Sequence, residues 1–208
     1  MKWVILSILA GVGIWFFLNR PTRTSSPTPV PEISSVPSPT TKPAELLTPL
    51  DRAGERVTKK PFGIFITPES SPVTPERFRG YHTAADFETF PDEQNSEVRV
   101  RAICSGPLKV KERASGYGGV AVQACVINGS PVTVIYGHVK LSSVTGTNFS
   151  AGEVIAVLGK GFSTETDGER KHLHLGIHKG DSVNIRGYVS SQSDLSAWLD
   201  PCLYFCHD

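Results

Sequence analysis

A proline-rich segment divides this chain and confines any folded domain to its C-terminal part. Residues 21–49 hold half of the 16 prolines, together with many Ser and Thr residues and few large apolar ones. Such a segment cannot bury enough apolar surface to offset the entropy of ordering it, so it predicts an extended spacer. We assign residues 21–60 to a Pro/Ser/Thr-rich linker and residues 61–208 to one folded domain.

An apolar N-terminal segment, residues 1–20, precedes the linker. Residues 3–18 carry no charge and are rich in Val, Ile, Leu, Phe and Trp. As a helix they would reach roughly 24 Å, somewhat less than a bilayer core of ~30 Å. A cleaved signal peptide and an uncleaved membrane anchor both stay open, and the lack of small residues at alternate positions favours the anchor. We expect a single-pass protein of the cytoplasmic membrane with its domain on the extracytoplasmic side, and secretion as the alternative.

The charge distribution excludes one class of partner. The sequence contains 21 basic and 20 acidic residues and has no basic run. Binding to a phosphate backbone requires clustered Lys and Arg, so we expect no nucleic-acid binding. The hydrophobic fraction of 39% is sufficient for a core in the C-terminal part of the chain.

All four cysteines fall in the C-terminal domain, which agrees with export to an oxidising compartment. Three pairings are possible, and the sequence does not choose among them. We expect Cys104 to pair with Cys125, and Cys202 with Cys206. Two alternatives stay open: buried free thiols, or a metal site formed by Cys202, Cys206 and His207, for which a fourth ligand is missing.

The domain is predicted to be mainly β, a compact antiparallel sheet. Residues 120–127 and 132–136 are rich in β-forming residues and flank Asn128-Gly129, a sequence typical of a two-residue hairpin turn. Sustained helical periodicity is missing from the domain. The other predicted elements are short strands at residues 62–66, 98–103, 154–158 and 172–178, and a short helix at residues 194–199.

His172 and His174 are alternate residues of one predicted strand. Their imidazoles therefore point to one face of the sheet, while Leu173 and Leu175 point to the core. Two neighbouring histidines can begin a zinc site, although a polar strand face that contains His by chance explains this pattern more often. His178 shares the same face by parity but falls outside the motif, and we interpret it as a structural residue or one at the rim of the site.

Two further motifs precede this strand. His82 and Asp86 stand four residues apart, and an imidazole with a carboxylate suits zinc, which accepts nitrogen and oxygen ligands. His138 follows an apolar strand as the last residue of Tyr136-Gly137-His138. Each motif alone occurs in many proteins, so the prediction depends on their combination.

The combination resembles one known family. The three motifs follow one another in the order His82-x-x-x-Asp86, Tyr136-x-His138 and His172-x-His174. This order is similar to that of the lysostaphin/LytM-type zinc endopeptidases. The glycine turn of residues 115–119, the strand entry of residues 151–156 and the Asp-Pro element of residues 198–201 also match, so the resemblance covers residues 62–204. Two features depart from the family: Ala84 stands where glycine is frequent, and the loop before His172 is longer and more charged.

The resemblance implies a zinc metalloendopeptidase that hydrolyses peptide cross-links of bacterial peptidoglycan in an open groove. It implies that His82, Asp86 and His174 bind Zn²⁺, which leaves one coordination position for water. His172 and His138 would lie near the metal without binding it. In the family such histidines activate the water and stabilise the oxyanion, and we assign the role of base to His172.

Two other classes of function compete with this prediction. Degenerate members of the family act as non-catalytic adaptors that bind the wall or activate another hydrolase, but they usually lose metal ligands. This chain keeps all five polar positions. A barrel-like carrier domain would need a modifiable lysine on a tight turn, and none is convincing near the strand at residues 154–158. The predicted function is therefore an active peptidoglycan endopeptidase.

Overall fold

The computed structural model describes residues 46–207 of the chain. The predicted N-terminal anchor and most of the linker lie outside these residues. Among residues 46–207, no helix is both long and apolar enough to cross a membrane. The structure consequently informs on the domain and on the last residues of the linker.

Within residues 46–207, twelve strands account for most of the regular structure. The strands are β1 (Phe65–Ile66), β2 (Gly80–His82), β3 (Ala84–Glu88), β4 (Arg99–Arg101), β5 (Gly106–Ala114), β6 (Gly118–Ile127), β7 (Ser130–Gly137), β8 (Asn148–Phe149), β9 (Val154–Val157), β10 (His172–Lys179), β11 (Tyr188–Val189) and β12 (Trp198–Leu199). The helices are α1 (Cys202–Phe205) and 3₁₀ turns at Ala53–Glu55, Pro91–Glu93, Leu141–Ser143 and Gln192–Ala197. Neighbouring strands pair in an antiparallel manner, so the prediction of a mainly β, antiparallel domain is confirmed.

The largest sheet has seven strands in the order β12-β10-β7-β6-β5-β8, and β3 also pairs with β10. The predicted hairpin joins β6 to β7, and its turn residues Asn128 and Gly129 have φ angles of 50° and 76°. Two positive φ angles in succession define the type I′ turn that Asn-Gly favours. Two smaller sheets, β1-β2-β11 and β4-β9, complete the fold. Strand β10 thus lies between β7 and β3.

Alternation along β10 separates the core from the polar face. Leu173, Leu175 and Ile177 are fully buried, as predicted, and belong to the main hydrophobic cluster. Phe87 of β3 and Tyr136 of β7 pack in the same cluster. Because successive side chains of a strand point to opposite faces, the histidines of β10 lie on the other side of the sheet.

Both expected disulfides are present. One connects Cys104 to Cys125 with a Cα–Cα distance of 6.0 Å, and the other connects Cys202 to Cys206 with a distance of 4.5 Å. All four cysteines fall within the part of the chain that the structure describes, and none of them is free. The free-thiol alternative and the metal alternative for Cys202, Cys206 and His207 are therefore wrong, because the sulfur atoms are already bonded in pairs.

The end of the segment assigned to the linker packs on the domain. Leu50 and Ala53 belong to the main hydrophobic cluster, and the amide of Leu47 donates to the carbonyl of Ile103 over 3.0 Å. Arg56 is only 2% exposed. The packed domain therefore includes residues before 61, because this stretch supplies apolar side chains that the preceding Pro/Ser/Thr-rich stretch lacks.

Candidate metal centre

Strand pairing assembles the candidate site. In the ladder between β3 and β10, Asp86 lies opposite His174 and Glu88 lies opposite His172. On the other side of β10, Gly137 of β7 also lies opposite His174. His82, the last residue of β2, joins them from a different sheet. The backbone hydrogen bonds between β3 and β10 therefore place Asp86 of the first motif beside the histidines of the third.

Three ligand atoms converge in this arrangement. His82 Nε2 lies 3.3 Å from Asp86 Oδ1, His174 Nδ1 lies 3.2 Å from Asp86 Oδ1, and the two ring nitrogens are 3.2 Å apart. A tetrahedral zinc ion with ligands at about 2.0 Å keeps neighbouring ligand atoms about 3.3 Å apart. The three atoms thus match one face of a zinc tetrahedron, and this trio could hold a metal ion.

One oxygen of the trio lacks a partner. Asp86 is 2% exposed, and its Oδ1 has no hydrogen-bond partner among residues 46–207. A buried carboxylate oxygen without a partner is costly, and a cation in the triangle would remove that cost. This unsatisfied oxygen and the nitrogen and oxygen donor set both fit zinc.

Hydrogen bonds on the far side of each ring orient the histidines. His82 Nδ1 lies 3.2 Å from the carbonyl oxygen of Pro61, which can only accept, so the neutral tautomer carries its hydrogen on Nδ1 and its lone pair on Nε2. His174 Nε2 lies 3.1 Å from the Tyr117 hydroxyl, to which it can donate while Nδ1 faces the triangle. Metal-binding histidines usually make such a contact through their other nitrogen.

The protonation states also suit a metal. Burial lowers the pKa of His174 to about 4, so its imidazole is neutral at pH 7. Burial alone would raise the pKa of the Asp86 carboxyl, but the facing His172 and His82 hold that pKa well below its usual value. Burial raises the pKa of the Tyr117 hydroxyl, which stays protonated. Neutral imidazole and ionised carboxylate are the forms that bind zinc.

His172 and His138 lie beside the trio. His172 Nε2 lies 3.3 Å from Asp86 Oδ2, and its Nδ1 donates to the carbonyl oxygen of Arg170 over 2.9 Å. The rings of His138 and His172 have centroids 4.2 Å apart. Burial and the neighbouring His172 lower the pKa of His138 well below its usual value. The structure thus brings all five predicted site residues together.

The turn after β7 shows why the motif contains glycine. A Cβ atom on Gly137 would lie 2.5 Å from the Tyr117 ring and 3.1 Å from His174 Cβ. His138 itself has a φ angle of 62°, in the left-handed region that few residues with side chains adopt. Backbone strain of this kind is found at functional sites, where the surrounding packing maintains it.

A cleft of about 320 Å³ opens over the histidines. Phe78 and Tyr188 stack at one wall with ring centroids 5.4 Å apart. Ile185, Arg186 and Ser115 also line the cleft. The walls therefore offer apolar, aromatic and cationic contacts to a molecule that reaches the site.

Sequence reasoning did not assign three of the residues around this site. Tyr117 contacts His174, Tyr188 lies with its ring centroid 5.2 Å from that of His82, and Arg170 forms an ion pair with Asp86. The glycine turn and the charged loop that contain Tyr117 and Arg170 were visible in the sequence, but their partners were not. These contacts depend on the tertiary fold.

The two remaining histidines lie away from the trio. His178 packs its ring edge-on against Trp198, with centroids 4.8 Å apart, in agreement with a structural role. His207 is exposed near the end of the chain. Neither belongs to the group of residues that could hold a metal.

No protein-family model matches the sequence, and no curated protein matches it. The chain is similar to the crystal structure of cbpa from L. salivarius REN, with 20% identity and a TM-score of 0.48 over 77% of this chain and 94% of that one. It is also similar to LytU, with 18% identity and a TM-score of 0.44 over 82% and 90% of the two chains.

A third similar structure is the antimicrobial peptidase lysostaphin from Staphylococcus simulans. Identity is 19% and the TM-score is 0.45, over 73% of this chain and 50% of that one. At these values the metal and the activity have to be inferred from the geometry of the site.

Proposed function

We propose that this chain is a zinc-dependent endopeptidase that hydrolyses peptide cross-links of bacterial peptidoglycan. The observation that carries the proposal is the triangle of His82 Nε2, Asp86 Oδ1 and His174 Nδ1, with edges of 3.2 to 3.3 Å, beside an open cleft. Three protein ligands leave one zinc position open, as in catalytic sites, whereas structural sites use four. The motif resemblance supports peptidoglycan as the substrate.

Zinc held by this trio would polarise a peptide carbonyl and lower the pKa of water. His172 is placed to take up a proton at Nε2, because its Nδ1 already donates to the Arg170 carbonyl. Once protonated, that nitrogen faces Asp86 Oδ2 at 3.3 Å, and the carboxylate stabilises the imidazolium. His172 therefore has the geometry of a general base that later returns the proton to the leaving amine.

His138 suits the second role. Its Nδ1 is buried and has no hydrogen-bond partner among residues 46–207, although the ring packs against that of His172. An unsatisfied nitrogen beside a reaction centre is available to donate a hydrogen bond to a developing oxyanion. The low pKa of His138 keeps its ring neutral, so one of its nitrogens carries a hydrogen for this purpose.

The same proposal includes the location of the enzyme. The apolar segment at residues 1–20 would anchor the chain in the cytoplasmic membrane, with the domain on the extracytoplasmic side, and secretion after cleavage is the alternative. A proline-rich linker of up to about 3.1 Å per residue would let the domain reach the wall. Fractionation of cells that express the full chain, or a chain without residues 1–20, tests this part.

The enzymatic part is tested on purified cell walls. The domain is stripped with a chelator, reloaded with zinc and incubated with walls of different cross-link types, and released fragments are identified by mass spectrometry. We expect new amino termini at one type of cross-link, only in the zinc-loaded sample. Binding to walls without release of fragments from any wall type would instead indicate the adaptor function.

A further inference from the structure

We propose that Arg170 is a positioning residue that holds Asp86 so that Oδ1 alone faces the metal position. Arg170 belongs to the charged loop before β10, and its role is a property of this chain that the motif pattern does not include. The inference rests on the metal site of the proposed function, but it is independent of substrate and activity.

The guanidinium of Arg170 occupies the other oxygen of the carboxylate. Arg170 Nη2 donates to Asp86 Oδ2 over 2.9 Å, while Asp86 Oδ1 has no hydrogen-bond partner among the described residues. The two side chains are 12% and 2% exposed. A charge-assisted hydrogen bond in such a low-dielectric place is strong. The two oxygens of Asp86 therefore have different roles.

Glu88 fixes the guanidinium in turn. Arg170 Nε lies 3.1 Å and 3.0 Å from the two carboxylate oxygens of Glu88, and Nη2 lies 2.5 Å from one of them. Asp86 and Glu88 are alternate residues of β3, so their side chains share one face of the sheet. Arg170 thus bridges two carboxylates whose spacing is set by the strand. Because Glu88 holds the guanidinium in place, Arg170 cannot move with Asp86 if the Asp86 side chain rotates.

The backbone of the same residue orients His172. The carbonyl oxygen of Arg170 accepts from His172 Nδ1 over 2.9 Å, and His172 Nε2 faces Asp86 Oδ2. One residue therefore fixes the ligand carboxylate through its side chain and the proposed base through its backbone. A substitution at Arg170 removes the side-chain contact with Asp86 but keeps the contact with His172, because the backbone carbonyl remains.

Without the guanidinium, only His172 Nε2, at 3.3 Å, would still face Asp86 Oδ2, and the carboxylate could turn toward the metal position. A carboxylate with both oxygens available can bind a metal through one or both of them, and it loses orientation when it is free to rotate. Residues that orient a metal ligand typically contribute about 10–100-fold to affinity. The inference therefore predicts both weaker metal binding and an altered coordination number when Arg170 is replaced.

The test measures metal binding to Arg170→Gln and the wild-type domain by competition with a chromophoric zinc chelator. We expect the zinc dissociation constant to rise about 10–100-fold in R170Q. The visible spectrum of the Co²⁺-substituted proteins provides a second readout, because a higher coordination number weakens the absorption of a tetrahedral site. Arg77→Gln is the matched control: it removes ion pairs with Asp167, at 2.9 Å, and with Glu169, at 3.3 Å, in the same loop, and it does not contact Asp86.

The outcomes are distinct. Zinc affinity and a Co²⁺ spectrum equal to wild type in R170Q overturn the positioning role and leave the proposed function intact. An R77Q domain that loses as much zinc affinity as R170Q also overturns the positioning role, since anchoring of the loop would then be the cause.

If the wild-type domain binds no zinc, the metal site does not exist, and the proposed function and the inference fail together. If R170Q does not fold by circular dichroism, R170K decides, because Lys lacks the fork that contacts both carboxylates. Wild-type affinity in R170K then overturns the inference, and a several-fold loss supports it.

Discussion

Asp86 and His174 lie directly opposite each other on β3 and β10, and Asp86 Oδ1 is 3.2 Å from His174 Nδ1. The pairing is held by backbone hydrogen bonds of the ladder and by the buried neighbours Phe87 and Leu173, which also face each other in the register. The spacing of the two ligand atoms is therefore set by the sheet. Replacement of either side chain should abolish metal binding at this site without disrupting the pairing of β3 with β10.

Replacement of Asp86 or His174 with Ala should abolish stoichiometric zinc binding. Each change removes one of three ligands, and partial sites of this kind lose most of their affinity. Elemental analysis of the purified domain after dialysis is the measurement, with about one zinc per chain expected in the wild type. His178→Ala is the control, because it removes an imidazole from the same strand at a position away from the trio. Full zinc content in both ligand variants would contradict the assignment.

The hairpin and the core face of β10 could be predicted because both signals are local. Asn128-Gly129 specifies its turn through the φ angles that only such residues adopt readily, and both angles are positive in the structure. The alternation from Leu173 to Ile177 fixes which face joins the apolar core, since a shift of one residue would move these side chains to the face of the histidines. That alternation also placed all three histidines of β10 on the opposite face.

The partners of Arg170 and Tyr117 could not be predicted in this way. Arg170 meets Asp86 from a loop without periodicity, and Tyr117 reaches His174 from a glycine-rich turn. Both contacts join segments that are distant in sequence, so no spacing rule connects them. The packing of Leu50 was missed for a related reason: Leu50 directly follows the proline-rich residues 21–49, and the linker was extended past it to residue 60.

Acid should destabilise the domain partly through Glu93. Hydrogen bonds from Arg56, at 2.6 and 2.8 Å, lower the pKa of Glu93 below the unfolded value of about 4.3. A carboxylate with a lowered pKa adds stability above its unfolded pKa, and this stability is lost as the pH falls through the folded pKa. Glu93→Gln should therefore lower the free energy of unfolding at pH 7 by about 1–3 kcal/mol. The variant should also lose less of its free energy of unfolding than the wild type when the pH is lowered to 3.

Urea unfolding at pH 7, 4 and 3 measures this effect. Glu97→Gln serves as the control, because Glu97 is 63% exposed and its oxygen lies 3.7 Å from Arg99. Exposed pairs of this kind contribute little, so E97Q should follow the wild type at each pH. If the free energy of unfolding of E93Q depends on pH as that of the wild type does, the ion pair of Arg56 and Glu93 does not contribute to the loss of stability in acid.

The two disulfides should differ in their contribution to stability. Cys104 and Cys125 close a loop with a sequence separation of 21, and Cys202 and Cys206 one with a separation of 4. Chain-entropy estimates give about 3 kcal/mol for the longer loop and about 2 kcal/mol for the shorter one. Urea unfolding of the two double Ala variants should therefore show the larger loss for Cys104/Cys125. The reverse order would indicate that local packing around α1 outweighs loop closure.

His172→Ala and His138→Ala should retain zinc and lose most of the cleavage. Neither imidazole belongs to the trio that could hold a metal, yet His172 Nε2 faces Asp86 Oδ2 and the His138 ring packs against His172. A positioned acid–base group or oxyanion donor contributes about 10²–10⁴-fold to rate. Zinc content and release of peptide fragments from purified walls are measured together in wild type and both variants. If a variant loses zinc along with activity, the division between ligands and catalytic histidines is wrong. If both variants cleave at the wild-type rate, the proton and oxyanion roles must belong to other residues of the cleft.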